Sequence, residues 1–196
     1  DRIYKGSSLM EHKIETLILR WWQSMFLSTE QLKEKGIMPA PSSHKAQLRR
    51  ADSLDAVMLT AGFRALWLSL PDELTTIAKP EKMEIFAAIA AALVQVKNNS
   101  ADKLATVAGK KSEGDKSVVS ELRFSQLQNA KTTDDFIRRL RRILQQVKGK
   151  VSVTKLAKDI EGWFLEFYDT RPNQASKRIS VQWAMDYYRA ASNKIK

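Results

Sequence analysis

Four arginines crowd residues 136–150, FIRRLRRILQQVKGK, and they are the side chains here best placed to do chemistry. Stepping at about 100° per residue, Phe136, Ile137, Leu140, Ile143, Leu144 and Val147 share one half of a helix. Arg138, Arg139, Arg141 and Arg142 fan across the other half. Thr133-Asp134-Asp135-Phe136 reads as a capped start, with both acids in the first turn, where the macrodipole favours them. From Arg123 to Lys158 there are ten Lys or Arg against those two acids. A cationic face with so few carboxylates suits a polyanion, above all a nucleic-acid backbone. The competing reading is a solvated basic face, and the basic excess in the next helix weighs against it.

Other chemistries find little support. His12 and His44 stand on different elements without partners at ligand spacing, which excludes a histidine-based zinc site and a Ser-His-Asp triad. Gly109-Lys110 lacks the glycine and the Ser or Thr that a phosphate-binding loop requires at Leu104 and Lys111. Asp134-Asp135 cannot act as a metal pair, because adjacent helical residues point in different directions. No cofactor, no metal and no catalytic residue is expected.

These side chains need a scaffold, and the composition indicates its kind. The chain has 196 residues, net charge +11 and no cysteine, so it has neither disulfide nor thiolate site. Few glycines and prolines and long periodic stretches predict an all-α protein. The longest apolar run, Ile85 to Val94, is far short of the roughly 20 residues of a bilayer span and reads as a core helix opened by Pro80. The sequence opens on Asp1 rather than Met, and no leader is expected in its first residues. A cytoplasmic protein with no membrane contact is the expectation.

Helices are expected over Leu9–Phe26, over HKAQLRRA, from Asp52 or Ser53 to Leu70, from Pro80 to Lys97, over Val118–Asn129, along the arginine stretch to Gly149, from Ser152 or Thr154 through Phe167, and over Ala175–Ala191. The polar stretch 98–117 reads as a flexible loop. Two small helical bundles follow, an N-terminal one over 1–97 and a basic C-terminal one over 118–196. Nothing reads as strand. Trp67, Trp163 and Trp183 lie on apolar stripes and read as core. Trp21 and Trp22 cannot both face one core, so one is expected at an interface. Leu19 and Phe26 fall opposite Leu17 and Trp21, which suggests a side open to a partner. Phe124, beside Arg123, is the aromatic best placed for a base.

The order of motifs in the C-terminal half resembles the small subunit (CasB family) of the type I-E CRISPR surveillance complex, Cascade. The residues that carry the resemblance are Arg123-Phe124, Leu140-Arg141-Arg142, the turn at Gly149, Val151 to Asp159 with Trp163, and Trp183 to Tyr188. Trp22, Gln47-Leu48-Arg49-Arg50-Ala51 and Phe63-Arg64-Ala65-Leu66 extend it into the N-terminal half. The resemblance implies an all-helical, non-catalytic subunit that contacts guide RNA and target DNA. It implies a part in holding the displaced non-target strand of the R-loop, with other Cascade subunits and a second copy of the chain as partners. The candidate contacts are then Arg138, Arg139, Arg141 and Arg142, flanked by Arg123, Lys148, Lys150 and Arg178, with Arg49 and Arg50 on the N-terminal basic helix. The alternatives are a free-standing helical DNA-binding regulator, for which Gln145-Gln146 make poor base readers, and a nuclease with an unrecognised acidic site.

Overall fold

A computed structural model describes residues 10–75, 80–168 and 171–192. The α-helices in chain order are α1 (His12–Phe26), α2 (Thr29–Lys35), α3 (Ser42–Arg50), α4 (Leu54–Met58), α5 (Ala61–Trp67), α6 (Asp72–Thr75), α7 (Pro80–Leu93), α8 (Leu104–Gly109), α9 (Glu121–Gln128), α10 (Thr133–Gln146), α11 (Val153–Phe167) and α12 (Ile179–Ala191). The all-α expectation holds. Leu9, the expected start of the first helix, lies outside the described residues.

Helix α7 is the axis of the molecule. Residues 85–94 are buried without exception, as an apolar run with no polar face must be. Its alanines let α4, α5, α10 and α11 approach it from different sides. One continuous apolar core joins α1 at one end of the chain to α12 at the other.

Capping chemistry divides the helices more finely than hydrophobic periodicity does. The helix expected to run from Asp52 or Ser53 to Leu70 is two helices. Ser53 caps α4 and Thr60 caps α5, each hydroxyl accepting from a first-turn amide. Ser152 caps α11 and Ser120 caps α9. The cap of α10 is Thr132 rather than Thr133, its Oγ1 accepting from Asp135 N at 3.0 Å.

The stretch 98–117 is not a featureless loop. It contains α8, whose Leu104, Ala105 and Ala108 are fully buried against α12. A Cβ on Gly109 would lie 2.2 Å from Tyr187 O, so only glycine allows that approach. The same stretch supplies one strand, β1 (Asn98–Asn99), which pairs in parallel with β2 (Lys150–Val151). Strands of two residues leave no periodic signal.

Both tryptophans of α1 are buried, against the expectation that one faces outward. Trp21 Nε1 donates to Gly62 O at 2.9 Å and Trp22 Nε1 to Val96 O at 3.0 Å. Helix α1 therefore lies in a trough with apolar walls on two sides. Phe26 stacks on Trp22 with ring centroids 5.0 Å apart and is covered by Lys45, 4.8 Å above the ring. Leu19 also packs against the core. Leu19 and Phe26 are thus partly buried against the chain's own core, which accounts for much of the apolar surface on that side of α1.

Candidate nucleic-acid interface

Helix α10 buries Phe136, Ile137, Leu140, Ile143 and Leu144, worth about 1.5–3 kcal/mol for each large side chain. Its polar half has two flanks, set by the i, i+4, i+7 spacing of helical neighbours. Asp134, Arg138 and Arg141 lie on one flank; Asp135, Arg139, Arg142 and Gln146 lie on the other.

The first flank faces the N-terminal half of the chain. Asp134 Oδ1 accepts from Leu54 N at 2.9 Å, across to the first turn of α4. The half-buried guanidinium of Arg141 donates to three main-chain carbonyls, those of Ala91, Ala51 and Leu48. Burial lowers its pKa, opposed by the nearby charge of Asp52. Arg141 therefore departs from the expected comb: it points inward and its fork is occupied.

The second flank faces α9 across an open groove of about 590 Å³, lined by Arg123, Gln126, Arg139, Arg142, Gln145 and Gln146. Three guanidiniums and three amides meet there, with no carboxylate in the lining among the described residues. Asp135 stands at one end, bonding Arg139 Nε at 2.7 Å and pairing also with Arg138. The Arg139 bond, and after it Arg138, holds the Asp135 carboxyl below its ordinary range. Asp134 and Asp135 thus bind partners, and neither caps α10, whose cap is Thr132. Arg123 and Arg142 have no ion-pair partner among the described residues, so of the three groove arginines these two are the more available to a ligand.

The remaining candidates lie outside this groove lining. Lys148 and Lys150 are exposed on either side of Gly149. Gly149 has φ +64° and a carbonyl that accepts from Lys97 N at 2.8 Å and Asn98 N at 3.1 Å. This turn brings exposed Lys97 alongside them. Arg49 and Arg50 are exposed in the last turn of α3, with Arg49 Nε donating to Val94 O at 3.4 Å. Arg178 is half-buried at the start of α12 and donates to Pro172 O at 3.4 Å. Phe124 is buried, stacked on Tyr187 at 5.2 Å, and is therefore core rather than a base platform. Trp163 and Trp183 are core as read, and Trp67 packs against the core half-buried.

Gln126, Gln145 and Gln146 belong to the groove although a reading of charge passes over them. Helical spacing carries the signal: Gln126 lies one turn after Arg123, and Gln146 one turn after Arg142. Lys97 carries no such signal, because only the parallel pairing of β1 with β2 brings it to the Gly149 turn.

An all-helical body with a cationic groove along one helix defines the class. The chain belongs to the CRISPR-associated protein Cse2 family, whose model matches residues 44–188. In fold it is similar to a chain of E. coli Cascade in a crystal structure of that complex bound to a PAM-containing dsDNA target. The TM-score is 0.56 and the identity 20%, over 90% of this chain and 95% of that one. No curated protein matches. Among the described residues no helix is long and apolar enough to cross a membrane.

Proposed function

We propose that this chain is a non-catalytic structural subunit of a type I-E Cascade complex and that the groove between α9 and α10 holds nucleic-acid backbone. The observation that carries this reading is the meeting of Arg123, Arg139 and Arg142 in one groove with no carboxylate in its lining among the described residues. Opening an R-loop exchanges one duplex for another at nearly balanced free energy, so protein contacts to the backbone can tip it. Phosphate contacts do this without reading sequence. Arg123, Arg139 and Arg142 supply the central contacts, with Arg138, Arg49, Arg50, Lys148 and Lys150 around them and Arg178 an outlying one. Guide RNA, target DNA and the displaced strand are the polyanions such a subunit meets. Other Cascade subunits and a second copy of the chain are its protein partners.

The test is binding of mixed-sequence single- and double-stranded DNA by anisotropy across a salt series. With roughly six phosphate contacts, affinity falls about a thousandfold between about 50 and 200 mM salt, equally for unrelated sequences. A flat salt dependence, or a strong preference for one sequence, refutes the electrostatic reading.

A further inference from the structure

Two helices of this fold end against the same side chain. The last turns of α3 and α7 carry carbonyls with no intrahelical donor, and each helix brings the negative end of its macrodipole there. In α7, Gln95 N turns to Ala92 O, leaving Ala91 O to an outside donor. Arg141 serves both ends: its Nε donates to Ala91 O at 2.8 Å, Nη1 to Ala51 O at 2.5 Å and Nη2 to Leu48 O at 2.9 Å. The planar fork of a guanidinium reaches three carbonyls in different directions, whereas a lysine brings a single point charge.

The two α3 acceptors bracket Arg49 and Arg50 in the sequence. The peptide units on either side of this cationic pair are therefore tied to α10. Arg49 adds its own bond to Val94 O, beyond the end of α7. Asp134, one turn before Arg138 on the same flank, holds Leu54 N just beyond the pair.

We propose that Arg141 is a positioning residue for nucleic-acid binding and not a phosphate contact. It fixes the Arg49-Arg50 turn of α3 to α10, so that both cationic elements meet one polyanion in a set geometry. The inference rests on the reading of Arg49 and Arg50 as phosphate contacts, and the experiment separates the two claims.

Full-length Arg141→Lys and Arg141→Met proteins are made in the native background and in an Arg49→Ala/Arg50→Ala background. Amide hydrogen exchange over residues 49–54 reports the joint; the salt dependence of single-stranded DNA binding reports function. Both Arg141 variants are expected to exchange at least about tenfold faster there, the equivalent of one lost charge-assisted bond. Both should flatten the salt slope by about 1.4, two contacts at about 0.7 each on a single strand, as Arg49→Ala/Arg50→Ala does. In the Arg49→Ala/Arg50→Ala background they should flatten it no further. If Arg141→Lys keeps native exchange and slope, while Arg141→Met loses about 0.7 in both backgrounds, Arg141 touches phosphate itself and the proposal is overturned. Unchanged exchange in both variants overturns it as well. Faster exchange in a chain whose native form binds no DNA refutes the interface reading and reduces Arg141 to a structural joint.

Discussion

Asp159 gives the sharpest stability test in this fold. Its Oδ2 is buried on α11 beside the likewise buried Trp183 Nε1, and neither atom makes a well-formed hydrogen bond among the described residues. Burial raises its pKa from 3.8 to about 6, moderated by the nearby Trp183 indole and the charge of Lys103, while Asp186 pushes the same way as burial. A carboxyl whose folded pKa is raised costs stability when ionised. The cost is fully present above pH 6 and is relieved as pH falls from about 6 towards 3.8, because there the folded form binds a proton that the unfolded form does not. The gap between the two pKa values corresponds to about 3 kcal/mol at 1.36 kcal/mol per pH unit. That figure is an upper limit, since the protein relaxes around the charge. Asp159→Asn keeps the shape and removes the ionisation. Urea unfolding at pH 7.5 and pH 4 is the assay, with the free energy taken as variant minus native at each pH so that other titrating groups cancel. The Asn variant should gain up to about 2.4 kcal/mol more over the native chain at pH 7.5 than at pH 4, where about 0.6 kcal/mol of the cost remains. A difference that is the same at both pH values, or larger at pH 4, refutes the account of Asp159 as a buried, poorly paired carboxylate.

Other outcomes follow from packing. Trp163→Ala should cost about 3–5 kcal/mol in urea unfolding, because the ring stacks on Phe136 at 3.9 Å and its Nε1 donates to Gln128 O. Two glycines should answer alanine in opposite ways. Gly109→Ala drives a Cβ into Tyr187 main chain and should cost about 1–3 kcal/mol or more. Gly162→Ala, mid-helix in α11 and meeting nothing nearer than Ile179 Cδ1 at 3.6 Å, should gain up to about 1 kcal/mol in the same assay.

The helical class and the apolar stripe of α10 were legible in the sequence because periodicity encodes which face is buried. The inward turn of Arg141 was not. Its acceptors lie 50 to 93 residues away in the chain, and charge pattern alone does not separate a guanidinium that meets solvent from one that meets carbonyls. The two buried tryptophans of α1 escaped for a related reason. Adjacent helical residues do face different ways, but here each way leads to a wall, Gly62 for one indole and Val96 for the other. Stretch 98–117 misled because its polar residues surround a short apolar helix whose burial depends on α12. In the groove, Arg139 and Arg142 could be named from helical periodicity and Arg123 from the motif order that carries the family resemblance. Their convergence required the packing of α9 on α10.

The most direct test of the central claim is the double charge reversal Arg123→Glu/Arg142→Glu, the two groove arginines without ion-pair partners among the described residues. Both side chains are exposed, so helix content and urea midpoint should match the native protein. Affinity for mixed-sequence single-stranded DNA at low salt should fall at least about a hundredfold, taking two charge-assisted bonds at about 1.5 kcal/mol each. Native affinity in a variant that is folded by both measures would contradict the assignment of this groove to nucleic acid.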